Sequence, residues 1–382
     1  MGWWLAAALL SLLGFAAPYA LYPLLLRLRP RRYALGQAPD PPRWPDVSVI
    51  VAAYNAAGRI GEKVRELRAL EYPGRLEIAV IDDCSTDDTA QAAREAGADV
   101  VVRPEKRAGK SEAQNQASEF VCGEVLVLTD AAVAVQSDAA RLLVRELMVD
   151  GVGCVTGVDV SVAANQADAA EGAGLYTRLE IALRNREAET GTLLGVNGSL
   201  YAVRAEHRPP VPEECVDDLY VPLAVIERGL RVTVAPEAKA VVRRAVDLRE
   251  EYRRKVRTFT GGLFSLRAVR RDLPRAARRV RWRLLGHKWL RWLGPLFAAL
   301  ALFFSGGLAL RWWPGWLLFL PQAAFWSAAL AGALSSATNA RTSRLLRLPL
   351  FFGLVQAALA HAWWRLASGR PYITWEPTRR EN

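Results

Sequence analysis

The first 26 residues, Met1 to Leu26, contain no charged side chain, and Arg27, Arg29, Arg31 and Arg32 follow at once. About twenty apolar residues suffice to cross a bilayer core, so residues 1–26 read as a transmembrane anchor. A cleaved signal peptide carries its positive charge before the apolar run; here the charge comes after it. Positive charge stays on the cytosolic side, which places the N-terminus outside and the chain beyond Arg32 in the cytosol.

Charge divides the rest of the chain. Between residues 46 and 245 there are 22 Lys/Arg against 32 Asp/Glu, whereas the remainder holds 28 against 7. The formal charge of +11 therefore belongs to the segments beside apolar runs, where it faces anionic headgroups. An acidic central domain repels a polyanion, which argues against nucleic acid as a partner. The scattered Cys84, Cys122, Cys154 and Cys215 suit a reducing compartment and give no zinc signature. With three histidines, there is little material for a His-based metal site or a Ser-His-Asp triad.

A basic, Pro-rich linker (27–45) leads into a domain over 46–245 in which strands and amphipathic helices alternate. Val47–Val51 is a β-branched run of the kind buried in parallel sheets. A helix over Arg59–Leu70, a strand over Leu76–Ile81, a helix over Asp87–Ala96 and a strand over Val100–Val102 follow. A helix over Lys110–Phe120 and a strand over Glu124–Thr129 complete the series. This alternation predicts an α/β fold with an open, mostly parallel sheet. Residues 246–291 form a basic collar; from Arg249 to Arg291 it holds 15 Lys/Arg against 3 Asp/Glu, with Trp282 and Trp289 interleaved. It reads as helix lying in the membrane interface. About three transmembrane segments occupy 292–366 and a tail 367–382. Arg341, Arg344 and Arg347 mark a cytosolic loop. Four full spans would put the tail outside despite Arg365, Arg370, Arg379 and Arg380, and a re-entrant or interfacial segment would reconcile the two.

Ligands bind an open α/β sheet at the carboxyl ends of its strands. Ala53-Tyr54-Asn55 follows the first strand and Asp82-Asp83-Cys84-Ser85-Thr86-Asp87-Asp88 the second. Ser85–Asp88 reads as a helix N-cap, which leaves the paired carboxylates Asp82 and Asp83 unexplained; one such Asp can accept hydrogen bonds from a uracil-type ring. Gly109-Lys110 opens a helix and suits a phosphate-side contact. Asp130 ends an apolar strand, where a carboxylate can bind Mg²⁺ or Mn²⁺.

The order of these segments resembles the family-2 glycosyltransferases from about Pro45 to Gly262. Gly195-Val196-Asn197-Gly198-Ser199 is similar to the family's Gly-rich loop before the acceptor region, and Val216-Asp217-Asp218-Leu219 to its acidic pair before a helix. The resemblance implies an A-type glycosyltransferase fold carried on transmembrane helices at the inner (plasma) membrane, with a multi-pass anchor and a cytosolic catalytic domain. It implies a nucleotide-sugar donor, a UDP-sugar above all, with Ala53, Tyr54, Asn55, Asp82, Asp83 and Lys110 on the donor side. Asp130 would hold the divalent metal, Mg or Mn, and the diphosphate. Asp218 would be the general base, supported by Asp217, in an inverting displacement onto a lipid-linked or envelope glycan acceptor. Asn197, Gly198, Arg254 and Arg257 fall on the acceptor side, and membrane lipids are further partners. Two departures stand out. The usual Asp-x-Asp reads Asp130-Ala131-Ala132, one carboxylate short, as in a catalytically inactive homologue or an enzyme that fills the vacancy with water. The Gln-x-x-Arg-Trp of processive polysaccharide synthases reads Arg254-Lys255-Val256-Arg257-Thr258, without Gln or Trp, which favours transfer of one or a few sugars.

Overall fold

The computed structural model describes residues 1–162, 170–243, 248–337 and 343–373. Arg341, Arg379 and Arg380, used in the topology argument, lie outside the described residues. Helices α1 (Gly2–Ala16) and α2 (Leu21–Arg27) come first. They are followed by β1 (Val47–Ala53), α3 (Ala57–Arg68), β2 (Leu76–Asp82), α4 (Thr89–Glu95), β3 (Val100–Val102), α5 (Lys110–Phe120) and β4 (Val125–Asp130). Then come β5 (Val133–Val135), α6 (Ala139–Leu147), β6 (Val152–Val162), α7 (Ala170–Thr190), β7 (Leu200–Arg204), α8 (Asp217–Glu227) and β8 (Arg231–Arg243). The C-terminal third is helical. It contains α9 (Leu248–Asp272), α10 (Pro274–Arg279), α11 (Arg281–Arg283), a π-helical turn (Leu284–Trp289), α12 (Leu290–Trp292), α13 (Gly294–Ala309), α14 (Gly315–Ala337) and α15 (Arg344–Ala367).

The strands form one eight-stranded sheet in the order β3-β2-β1-β4-β7-β6-β8-β5. All seven residues of β1 are buried because both faces of the sheet are covered. Ile50 and Ala52 point into one core with α5 and α8, and Val47, Val49, Val51 and Ala53 into the other with α3 and α6. From β3 to β4 the sheet is parallel, as the alternating pattern predicts. Beyond β4 it becomes mixed: β7 is antiparallel to both β4 and β6, while β6 and β8 run parallel. The reversal matters for position. Thr129 at the end of β4 pairs with Leu200 at the start of β7, so the loop before β7 arrives at the edge where β1, β2 and β4 end. In the same register, Ala53 lies beside Asp82 and Ala52 beside Asp130.

The basic collar is divided among several helices. Pro274 starts α10 after a break at Leu273, since proline lacks the N–H that would continue α9. The C-terminal half of α9 is buried on all sides from Thr260 through Leu266 without a break, and the helix packs on α8 and α15.

Helices α14 and α15 are each long and apolar enough to cross a membrane. The N-terminal run is broken: α1 and α2 meet at 57°, and the Arg281–Trp292 segment meets α13 at 61°. Among the described residues this gives two spans, or up to four if each bent pair counts as one. The first break contains Pro18 and the second is followed by Pro295, which sits in the first turn of α13, in keeping with proline as a cause of sharp kinks. The two short helices α1 and α13 pack together through small residues. A Cβ on Gly307 would lie 2.3 Å from the Trp4 ring, and one on Gly14 2.6 Å from Phe297.

At Gly123, before β4, an added Cβ would lie 2.4 Å from the backbone nitrogen of Ser48, whereas at Gly58, in α3, it meets nothing within 4 Å. Gly123→Ala is expected to cost about 1–3 kcal/mol of stability. Gly58→Ala is expected to be neutral or to stabilise by about 0.5–1 kcal/mol. Thermal unfolding of the two variants side by side in detergent checks both.

Candidate active site

Two residues without glycine's freedom adopt positive φ at this sheet edge, Asn55 (48°) and Cys84 (59°). Both turns are tied to each other. Asn55 Oδ1 accepts from the Thr86 amide at 2.8 Å, and the Asn55 amide donates to Ser85 Oγ at 2.9 Å. The Ala56 amide donates to Thr89 Oγ1 (2.8 Å) and the Ala57 amide to Asp87 Oδ2 (3.1 Å). The Ser85–Asp88 segment therefore does not simply cap its own helix, whose N-cap Asp88 makes no side-chain capping bond. Its Asp87 caps α3 from across the loop, satisfying the orphan amide of Ala57.

The paired carboxylates divide their work. Asp82 is fully buried; its Oδ1 accepts from the Ser85 amide at 2.9 Å and its Oδ2 lies 3.6 Å from the Arg103 guanidinium. Asp83, also fully buried, accepts from the amides of Ala108 (2.8 Å) and Gly109 (3.1 Å). Burial pushes its carboxyl above the ordinary range, against those two amides. The bonds hold the turn at Gly109, whose φ of 86° suits glycine, and that turn delivers Lys110 as the first residue of α5. Arg107, which sequence reasoning passed over, lies 3.6 Å above the Tyr54 ring centroid and 4.0 Å from Asp83. It covers one face of that ring.

Lys110 is the centre of the site. Its Nζ lies 2.8 Å from Asp130 Oδ1 and 3.1 Å from the Gly198 carbonyl oxygen. Burial works against its charge, but Asp130, Asp217 and Asp218 together raise its pKa. Asp217 and Asp218 occupy the first turn of α8, where the helix dipole favours carboxylates. Asp217 is buried and accepts from the Tyr201 hydroxyl at 3.0 Å. Asp218 is half-buried and borders a cavity of about 90 Å³. Burial and the neighbouring Asp217 push its carboxyl up to about 6, against the pull of Lys110 and Lys288.

The Gly195–Ser199 loop closes over this helix start. The Val196 amide donates to the Asp218 carbonyl at 2.8 Å, and a Cβ on Gly195 would lie 2.9 Å from that same oxygen. Asn197 is fully engaged: its Nδ2 donates to the Gly157 carbonyl at 2.9 Å and its Oδ1 accepts from Arg184. Gly198 lies against Asp218 and Lys110. Arg254 pairs with Glu251 at 2.7 Å. Burial and Arg254 lower the pKa of Arg257, and the charge of Asp130 opposes them. The structure thus gathers Lys110, Asp130, Gly198, Asp217 and Asp218 in one cluster. Tyr54, Asp82 and Asp83 line up beside it.

Among the described residues no group of three His, Cys, Asp or Glu side chains could cage a metal. Asp130 offers a single carboxylate, its side chain 40% exposed. That suits a hard cation shared with phosphate oxygens and water, which needs one or two protein carboxylates. Asp159 on β6, hydrogen-bonded to Ser199, is a second carboxyl near enough to feel the charge of Asp130.

Residues 48–185 match the sequence profile of Glycosyl transferase family 2. The chain is 37% identical over 134 residues to a beta-monoglucosyldiacylglycerol synthase of Nostoc sp. The match covers 33% of this chain and 28% of that protein's length. It is 28% identical over 129 residues to an N-acetylglucosaminyltransferase of Mesorhizobium japonicum, covering 32% of this chain and 30% of the relative. Among solved structures it is similar to the mannosyltransferase PcManGT from Pyrobaculum calidifontis, determined with GDP-Man and Mn²⁺. That likeness has a TM-score of 0.70 at 24% identity and covers 94% of this chain and 97% of that one. It establishes a shared fold across the sheet and the helices that follow.

Replacing Asp83 by Asn would put an amide where a carboxylate now takes two buried N–H groups. Asp83→Asn is expected to lower stability by about 1–3 kcal/mol, read as a drop in Tm in detergent at pH 7.

Proposed function

We propose that the chain is a membrane-anchored, inverting glycosyltransferase, at the inner (plasma) membrane with its catalytic domain cytosolic. It moves a sugar from a nucleoside-diphosphate donor, a UDP-sugar above all, to a hydroxyl of a lipid-linked or envelope glycan acceptor. The observation that carries the reading is Asp218, a carboxyl pushed up to about 6 at a helix start, directly beside the Lys110–Asp130 pair. A base near neutrality is matched to taking a proton from an alcohol. The family-2 profile over 48–185 supports the donor half. The names of the glycolipid synthase and the N-acetylglucosaminyltransferase support a glycosyl transfer of this class.

In the proposed reaction the acceptor hydroxyl gives its proton to Asp218 as its oxygen bonds to the anomeric carbon. The bond from that carbon to the diphosphate oxygen breaks, and its electron pair leaves with the nucleoside diphosphate. Attack from the face opposite the leaving group inverts the anomeric centre. Lys110 changes partner, from Asp130 and Gly198 to the diphosphate, whose growing charge its ammonium neutralises. Asp130 would hold a Mg²⁺ or Mn²⁺ ion, which when bound supplies further charge to the diphosphate. Tyr54 receives the base once Arg107 leaves its ring. Asp217, held by Tyr201, raises the basicity of Asp218 by repulsion. Since the Trp of processive synthases is replaced by Thr258, transfer of one or a few sugars is favoured over long-chain synthesis.

Purified full-length protein in detergent, given a panel of UDP-sugars and GDP-mannose with Mn²⁺ or Mg²⁺ and a membrane lipid extract, is expected to release nucleoside diphosphate. Release from no donor would overturn the reading. Asp218→Asn is expected to slow transfer by about 10²–10⁴-fold with donor binding intact. Because Asp218 must be ionised and its pKa is raised, kcat/KM should climb with pH through about 6, then level. A profile flat from pH 5 to 7 would exclude Asp218 as the base. Asp130→Ala should weaken metal-dependent donor binding, measured by titration with UDP with and without Mn²⁺.

A further inference from the structure

The cavity beside Asp218 has walls that the proposed chemistry leaves unused. It is enclosed by α7 (Glu180, Arg184, Glu187), the loop before β7, α9 (Thr258, Gly262) and the π-helical turn with its flank (His287, Lys288, Trp292). At about 90 Å³ it far exceeds the about 10–15 Å³ that admits one water.

The charges around it are unevenly matched. Glu180 is paired with His287 Nε2 (3.0 Å) and Arg291 (2.8 Å). Glu187 is paired with His287 Nδ1 (2.9 Å) and accepts from the Tyr22 hydroxyl. Both acids are thus committed to the cluster on their own side. Two cations facing the cavity make no close ion pair: both act on the Asp218 carboxylate, and Lys288 also on Glu180, only at longer range. The hydrogen bonds of Arg184 go to neutral acceptors, the Asn197 amide oxygen and the Gly195 carbonyl at 2.9 Å. Lys288 has, among the described residues, no carboxylate or carbonyl within hydrogen-bond distance; its Nζ lies 5.7 Å from the centre of the Trp292 ring. A half-buried ammonium without a close acceptor carries a desolvation cost, and an anion entering the cavity would offset it.

We infer that this cavity is the acceptor subsite and that it takes an anionic acceptor, a phosphate ester whose free hydroxyl reaches Asp218 while its phosphate meets Lys288 and Arg184. The inference rests on the glycosyltransferase reading for its hydroxyl and on the cavity alone for its phosphate. A phosphodiester lipid and a soluble glycerol phosphate share this chemistry. Diacylglycerol, which lacks the phosphate, does not.

The full-length protein in detergent is assayed for nucleoside-diphosphate release with phosphatidylglycerol, sn-glycerol 1-phosphate or diacylglycerol as acceptor. Stimulation by phosphatidylglycerol or glycerol phosphate, and not by diacylglycerol, is expected, and which of the two stimulates tells lipid from soluble source. Lys288→Gln should raise the half-saturating concentration of the anionic acceptor about tenfold or more, with that of the donor unchanged, and Lys288→Arg should restore it. Equal use of diacylglycerol, or an unaltered acceptor dependence in Lys288→Gln, would overturn the inference. Independently of turnover, glycerol 1-phosphate should raise the Tm of the wild type and not of Lys288→Gln. No shift in the wild type overturns the anionic subsite even if transfer occurs. A Lys288-dependent shift without release from any donor upholds the subsite and sinks the transferase reading instead.

Discussion

The rest of the molecule depends on a buried charge cluster along α7. Glu180 and Glu187 lie seven residues apart on one helical face, two turns of the same stripe. His287 bridges them with both ring nitrogens. Tyr22 from the N-terminal helices reaches Glu187, and Arg291 at the foot of α13 reaches Glu180. Arg283 donates to the carbonyls of Glu187 and Thr192 at 2.8 and 2.7 Å, closing the end of α7. Ion pairs of this kind bring little net stability when the cost of desolvation is counted, but losing one member leaves the others stranded. Their use here is positional. One helix of the α/β domain is fixed to both sets of apolar helices, and its C-terminal end leads directly into the loop that seats Asp218.

Within the site the same logic operates on a smaller scale. One ammonium, on Lys110, faces three carboxylates, and the turn that carries it is clamped by a fourth, Asp83. In the proposed reaction the Lys110–Asp130 pair would be exchanged, because both partners are partly exposed and a doubly charged diphosphate would compete for the lysine. Asp83 and the Gly195 loop have no such freedom. The arrangement separates groups that stay from groups that move.

Much of the parallel half was legible in the sequence. The β-branched runs of β1 and β4 and the helix over Lys110–Phe120 fall where periodicity and glycine place them, because both faces of these strands are buried. The antiparallel half was less so. Nothing local in Leu200–Arg204 says which way it will run; that follows from where the preceding loop must go. Asp83 could be singled out as unusual, but not its bond to amides 25 residues on. Arg107 could have been found as a cation two residues before the Gly-Lys step, had its reach to an aromatic ring been considered. The α7 cluster was hidden for a plainer reason: its members lie about 100 to 165 residues apart, and an acid on an amphipathic helix looks the same in sequence whether it faces water or a histidine. The bend between α1 and α2 has a local cause, since Pro18 disfavours a single straight helix there.

The unequal helix lengths bear on how the protein sits among lipids. At 1.5 Å per residue, α14 and α15 rise about 35 Å, whereas α1 and α13, packed side by side, rise about 22–24 Å. One flank matches or exceeds a typical hydrocarbon thickness of about 30 Å and the other falls short of it. Acyl chains meeting the short flank must compress or tilt, at a fraction of a kcal/mol per Å of mismatch. In the membrane-anchored reading proposed above, the molecule would impose a lopsided dent on the leaflet around it, and membranes of different thickness would hold it at different angles.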